Sequence, residues 1–329
     1  MNFKNSTVVV TGAGGFIGSH LTEALIEAGA QVRALVRYSS HNYWGFLEPF
    51  RKDPHPRLTI FSGDVRDPAF MEKMVDGAEY VFNLAALIAI PYSYQAPLSY
   101  VETNIHGCLN ILEACRRHKV RRLVQTSTSE VYGTARYTPI DEEHPLQAQS
   151  PYSATKIAAD KLAESYHRSF DLPVTILRPF NTYGPRQSLR AVIPTILNQA
   201  LTGNRIRLGN LLPIRDLTHV SDTVRAFMAS AISEGTLGKV VNCGSGRGVS
   251  IKEMVQMVEN LIHGPLEIQQ EDERLRPERS EVFTLICDNT LAKKLMDWQP
   301  EISLEKGLSL TIEWFRNNLK SDSTETYVV

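Results

Sequence analysis

VVVTGAGGFIGSH, residues 8–20, decides the fold. A β-branched run ends at Gly12, glycines recur at Gly15 and Gly18, and an apolar-periodic stretch begins at Phe16 and Ile17. That order reads as a strand, a tight turn and the start of a helix. It presents backbone N–H groups and the positive end of a helix to an anion. Gly12 permits the turn, Gly15 lets the backbone approach a pyrophosphate, and Gly18 lets the helix pack closely. The stretch is read as the first turn of a dinucleotide-binding unit, with Gly12, Gly15, Phe16, Ile17 and Gly18 at the cofactor.

The alternation continues on both sides of it. VRALV (32–36), LTIFSG (58–63), YVFNLAA (80–86), RLVQTST (122–128) and VTILRP (174–179) read as further strands. Residues 16–29, 99–118 and 151–170 read as helices, and Asp67-Pro68 as an N-cap followed by proline at the first helical position. Repeated βα units predict an α/β fold with a doubly wound parallel sheet, the Rossmann arrangement. Beyond Pro179 the pattern becomes irregular, with helices expected over 191–202, 220–233, 250–262 and 303–318. VVNCGSG (240–246) is expected to return as a strand. The chain therefore divides into a dinucleotide-binding domain, 1–180, with a return segment at about 215–247, and a smaller, discontinuous α+β substrate-binding domain over 181–329. The polar tail at 320–329 is expected to fray.

A chain of 329 residues with 43% hydrophobic and 22% charged residues can bury a large core. Its formal net charge of −1 argues against a nucleic-acid partner. No apolar stretch approaches the length of a membrane span, and the N-terminus lacks a signal-peptide pattern. The four cysteines show no metal or redox spacing, which fits a cytoplasmic protein, and the histidines are scattered, so no metal site is expected.

The second strand ends in Val36-Arg37-Tyr38-Ser39, with no acid before Glu48. A carboxylate there would hold a ribose 2′-hydroxyl, whereas a guanidinium and a hydroxyl suit a 2′-phosphate. Arg37 and Ser39 therefore favour NADP, with NAD as the alternative. Asp64-Val65, after the third strand, is expected to meet the adenine. Leu84, Ala85 and Ala86, after the fourth, are expected to run beside the cofactor ribose.

TSTSEVYG (126–133) and YSATK (152–156) carry the chemistry. Tyr152 and Lys156, four apart on a helix, project from one face. An ammonium beside a phenol lowers its pKa, so Tyr152 is expected to take a proton from a sugar hydroxyl. Glu130 adds a second acid/base group, one more than alcohol oxidation requires.

TGAGGFIG, GDVRD, NLAA, TSTSEVYG, YSATK and RPFNTYGPRQ together resemble the extended short-chain dehydrogenase/reductase superfamily, in particular its nucleotide-sugar epimerases and dehydratases. The resemblance spans nearly the whole chain. It implies that Tyr152, Lys156 and Thr128 are catalytic, and that Glu130 marks a 4,6-dehydratase. Ser129 stands where the dTDP-glucose enzymes carry an aspartate. RYSSHNYWGFLE (37–48), LRAVIPTIL (189–197), GNLLPIRDLTHVSDTVRAF (209–227) and RLRPERSEVFTLICDN (274–289) resemble a narrower group, dehydratases of nucleotide-linked N-acetylglucosamine in legionaminic-acid-type pathways. That likeness implies a GDP- or UDP-sugar substrate gripped by Asn181, Arg186, Arg190, Arg215 and Arg276, and a homodimer paired through helices 99–118 and 151–170. The rival readings are a 4-epimerase, a UDP-glucuronate decarboxylase, and a non-catalytic dinucleotide sensor.

Overall fold

The computed structural model describes residues 3–318. The tail expected to fray lies outside the described residues. Strand β1 (Thr7–Thr11) leads into the helix Phe16–Glu27. Next come β2 (Gln31–Arg37), β3 (Leu58–Gly63), β4 (Tyr80–Asn83), β5 (Arg122–Thr126) and β6 (Val174–Pro179). These six strands are joined by β10 (Val240–Cys243) in one seven-stranded sheet of order β10-β6-β5-β4-β1-β2-β3. Every pairing in it is parallel. The order reverses between β1 and β4, and a cleft opens at such a switch point, outside the carboxyl ends of the strands.

The alternation of side chains along β1 shows why both faces are covered. Val8 and Val10 join the core beneath Leu21, Leu25, Val224 and Phe227, while Val9 points into the opposite core with Met71, Ile111, Leu112 and Ala163. All three valines are fully buried. A strand buried on both faces must read as a continuous apolar run, as VVVT does.

Two helices carry signals visible in the sequence. Asp67 accepts from the Phe70 N–H at 3.1 Å, and Pro68 opens the helix Pro68–Val75. Ser150 and Ser153 form a reciprocal capping box at the start of the helix Pro151–Phe170, with Pro151 at its first position. The helix expected over 99–118 is interrupted: Pro97–Tyr100 and Gly107–Arg117 are α-helical, and Val101–His106 between them is π-helical. Widening the turn places Asn104, 3% exposed, against the chain after β4. There its side chain accepts from Leu87 N–H at 2.9 Å and donates to Leu87 C=O at 3.0 Å. Such π turns gather at functional sites.

The return after residue 215 is only partial. Strand β9 (Ile214–His219) does not enter the large sheet. It pairs with β7 (Asn181–Tyr183), β11 (Gly248–Ser250) and β13 (Thr284–Leu285) in a smaller sheet. The helix Val220–Ile232 and β10 do come back to the large sheet. Strands β8 (Arg205–Leu208) and β12 (Glu267–Gln270) form a two-stranded ladder. The helices Val192–Thr202, Ile251–Ile262 and Leu304–Asn318 close a separate apolar core that includes Ile196, Met254 and Leu308. Among the described residues no helix is long and apolar enough to cross a membrane.

Candidate active site

The carboxyl ends of β1, β4, β5 and β6 open onto one cleft of about 1370 Å³, walled on the far side by residues of β9 and of 273–281. A ladder of side chains holds its floor. Thr11 Oγ1 donates to Asn83 Oδ1 at 2.7 Å and accepts from Leu84 and Ala85 N–H, while Asn83 Nδ2 donates to Gln125 Oε1 at 2.8 Å. Leu84, Ala85 and Ala86 are thereby fixed along the cleft.

The glycine turn fits a dinucleotide. Gly12 has a φ of 67°, in the region that favours glycine. A β-carbon on Gly18 would stand 2.2 Å from Gly12 O, so nothing larger fits there. The helix Phe16–Glu27 starts after Gly15 with no side-chain cap, which leaves its first N–H groups for an anion. Gly15, Phe16, Ile17, Arg37 and Ser39 line the same cleft. The stretch expected at the adenine is placed differently. Asp64 and Val65 do not line the cleft. Asp64 is gripped by Arg66, with Nη2 at 2.7 Å from Oδ2, and that grip lowers its pKa. Val65 is buried against Gly107.

The expected catalytic residues converge. Thr128 ends the chain segment after β5 and accepts from Glu130 N–H at 3.2 Å, capping the short turn Ser129–Tyr132. Ser129, Glu130, Tyr152 and Lys156 line the cleft with it, and all four are buried. Tyr152 sits in the first turn of its helix, its ring edge-on to Tyr100 at 6.3 Å. Its acidity departs from expectation. Burial pushes the Tyr152 phenol above its ordinary pKa, a contact with Thr128 offsets part of this, and the charge of Glu130 adds to it. Lys156 does not draw it down: its Nζ donates to Thr126 C=O at 2.5 Å, and burial lowers its own pKa. Desolvation of the phenolate is the largest influence on the Tyr152 phenol.

Behind this pair lies a buried ionic network absent from the sequence reading. Asp160, one turn beyond Lys156, accepts from Arg178 Nη2 at 2.9 Å, Arg178 Nε at 3.1 Å and Ser127 Oγ at 2.7 Å. Arg178 Nη1 donates to Tyr132 OH, which donates to Asn242. An ion pair this deep needs such additional hydrogen bonds.

On the far wall, Arg215 and Arg276 share Glu281. Arg215 Nη2 lies 3.5 Å and Arg276 Nη1 3.8 Å from Glu281 Oε1. Burial lowers the Arg215 pKa, while the charge of Glu130 supports the cation. Arg276 Nη1 and Asn181 Oδ1 are buried with no hydrogen-bond partner. Unsatisfied polar atoms lining a cleft suit a polar ligand. Arg190 lines the cleft as well. Arg186 does not: it turns away to Glu23 Oε1 at 3.0 Å and Ser19 Oγ at 3.1 Å, tying its loop to the first helix. Glu281 was not singled out in the sequence, since a lone glutamate in an Arg-rich segment carries no spacing signal. Tyr94 and Ser280 were missed too. Their hydroxyls meet at 2.5 Å, and Ser280 Oγ also donates to Gln149 C=O.

The chain is similar to known proteins over nearly its whole length. The model of the GDP-mannose 4,6 dehydratase family matches residues 9–311. The dTDP-glucose 4,6-dehydratase of Streptomyces griseus is 33% identical over 318 residues, covering 94% of either chain. Among solved structures, the UDP-N-acetylglucosamine 4-epimerase of Methanobrevibacter ruminantium superposes with a TM-score of 0.87 at 30% identity, covering 96% of this chain and all of its own. The dTDP-glucose 4,6-dehydratase of Streptomyces venezuelae, solved with NAD bound, also gives 0.87, at 27% identity and over 95% and 97% of the two chains. Relatives named as a UDP-sugar-acid decarboxylase and as a UDP-glucose 4-epimerase match over the same span.

Proposed function

Because this chain belongs to the GDP-mannose 4,6-dehydratase family, among the nucleotide-sugar dehydratases and epimerases of the extended short-chain dehydrogenase/reductases, we propose that it is a 4,6-dehydratase. Its substrate in this reading is GDP- or UDP-N-acetylglucosamine, and its product the 4-keto-6-deoxy sugar nucleotide. The carrying observation is Glu130, a second acid/base group held in the cleft beside Thr128 and Tyr152. Inversion at C4 needs no such group.

A bound nicotinamide would supply hydride acceptance and return. The chain's own residues do the rest. Tyr152 takes the proton of the sugar 4-hydroxyl, with Thr128 hydrogen-bonded to the phenol and the Lys156 ammonium in the same cleft. The 4-keto group acidifies the proton at C5, which Glu130 removes. The 6-hydroxyl then leaves as water with the proton Glu130 took from C5. As hydride would be returned to C6, C5 takes up the proton that Tyr152 drew from the 4-hydroxyl, so that both side chains end as they began. Arg215, Arg276 and Asn181 hold the diphosphate, where guanidinium forks match phosphate oxygens. Arg186, tied to the first helix, takes no part.

We take the resident cofactor to be NADP. Arg37 and Ser39 line the cleft at the end of β2, and Glu48 is engaged with the Trp44 N–H at 2.7 Å. The NAD in the Streptomyces venezuelae relative makes NAD the alternative. Chromatography of the nucleotide released from heat-denatured protein separates the two. The homodimer remains part of the proposal: Leu98 and Tyr92, before the π turn, are exposed apolar side chains that a paired helix would cover. Light scattering near twice 36.9 kDa supports it, and a monomer mass refutes it. The four cysteines are free and buried, in keeping with a cytoplasmic enzyme.

The decisive experiment is mass spectrometry after incubation with GDP- and UDP-N-acetylglucosamine and UDP-glucuronate. Loss of water supports the dehydratase. Loss of carbon dioxide, or an unchanged mass with C4 inverted, replaces it with the decarboxylase or the epimerase.

A further inference from the structure

The loop after β2 is pressed onto the glycine turn. Gly45 has a φ of 66°, and a β-carbon there would stand 2.1 Å from Gly14 O. Phe46 N–H donates to that same oxygen at 3.0 Å. From the other side, a β-carbon on Gly14 would stand 2.6 Å from Trp44 O. Two glycines on separate segments thus lie back to back, and one of them belongs to the turn that cradles the pyrophosphate.

The tryptophan between them is held from several directions. Its N–H donates to Glu48 Oε1 at 2.7 Å and its Nε1 to Asn42 Oδ1 at 3.3 Å. The Arg51 guanidinium carbon lies 4.6 Å from the ring centroid. Phe46, next along the loop, meets Trp314 of the C-terminal helix at 6.5 Å. Tyr43, Trp44 and Gly45 line the cleft together with Val36, Arg37 and Ser39, the end where a doubly wound sheet receives the adenosine of a dinucleotide.

We infer that residues 43–46 form a retaining strap for the dinucleotide, with the Trp44 ring as a stacking wall for its adenine and the Gly45–Phe46 backbone as a lock on the glycine turn. An indole with a cation over its ring is a fixed platform for a purine. Such a strap suits a cycle in which the hydride is returned and the cofactor has no need to leave. The inference rests on the dinucleotide reading of the cleft.

The test is binding rather than turnover. Wild type, Trp44→Ala and Trp44→Phe, stripped of cofactor and matched for circular dichroism, are titrated calorimetrically with NADP, NAD and ADP-ribose. Loss of a base–aromatic stack weakens binding by about tenfold or more. Trp44→Ala is expected to show that loss for all three ligands, and Trp44→Phe to recover most of it. Gly45→Ala, which separates strap from turn, is expected to speed release of bound cofactor in a dilution chase. If Trp44→Ala binds all three within twofold of wild type, the strap is overturned while the enzyme reading stands. If wild type binds none of them, both fall.

Discussion

Removing Arg178 tests how the helix Pro151–Phe170 is held. Arg178 is 2% exposed and Asp160 0%, so the carboxylate has no water to turn to. Arg178→Met takes away both charged hydrogen bonds, at 2.9 and 3.1 Å, and leaves Asp160 with Ser127 Oγ. Breaking one side of a buried pair costs about 3–5 kcal/mol, because the remaining charge is uncompensated. Replacing both partners with apolar side chains removes that uncompensated charge, so the double variant Arg178→Met/Asp160→Leu should lose less than about 2 kcal/mol. Asp160 lies one helical turn beyond Lys156, whose ammonium feels its charge. In the single variant that ammonium is drawn from Thr126 toward Asp160, and turnover should fall with stability. Urea unfolding midpoints, read at a common slope, give the cycle, and turnover is measured below the unfolding range. A loss under about 1 kcal/mol for Arg178→Met would refute the reasoning, since a pair that cheap to break is not a desolvated one.

Three further outcomes are expected. Tyr152→Phe should lower turnover by about 10²–10⁴-fold with folding intact, as general acid–base groups contribute that much; turnover near wild type would remove Tyr152 from the chemistry. Glu130→Gln should abolish solvent deuterium uptake at C5 of the sugar, seen by mass spectrometry, and uptake at the wild-type rate would make Glu130 a structural residue. His219 is 4% exposed, and burial lowers its pKa from 6.5 to about 4, with the charge of Asp222 opposing and that of His20 assisting. The unfolded chain protonates it below pH 6.5 and the folded chain only near 4. Stability is therefore full above 6.5 and falls between 6.5 and 4, by up to about 3 kcal/mol from this group. His219→Asn, whose side-chain oxygen replaces Nδ1 as the acceptor of the Ser221 N–H, should flatten that part of the pH profile of the unfolding midpoint, and an unchanged slope would count against it.

The large sheet was legible because its strands are buried on both faces, so they stand out as apolar runs, and because glycines punctuate the first turn. Thr128, Glu130, Tyr152 and Lys156 were legible for a local reason. Two short segments carry them, one ending a strand and one capping a helix. What failed to show depends on contacts far apart in sequence. Arg186 and Arg190 look alike on paper, yet only Arg190 reaches the cleft, because Glu23 and Ser19 claim Arg186. Asp64 was lost to Arg66, two residues away, a choice of partner that strand and turn patterns do not express. The phenol's raised pKa follows from burial by the whole fold. β9 has the composition of a sheet strand, and its sheet is decided by partners at residues 181–183, 248–250 and 284–285.

The late return of β10 bears on how this chain can be divided. The seven-stranded sheet is complete only when residue 243 has been made, since β10 covers the open edge of β6, and the helix Val220–Ile232 covers Val124 and Leu177 on one face. A gene cut after residue 180 would leave β6 as an unpaired edge above a bare apolar face, the condition under which strands recruit other chains. The segment 181–219 is therefore an excursion from a sheet that closes only at β10, and with residues 273–281 it walls the cleft, so those two stretches can vary while the sheet, its glycine turn and the helix Pro151–Phe170 stay as they are.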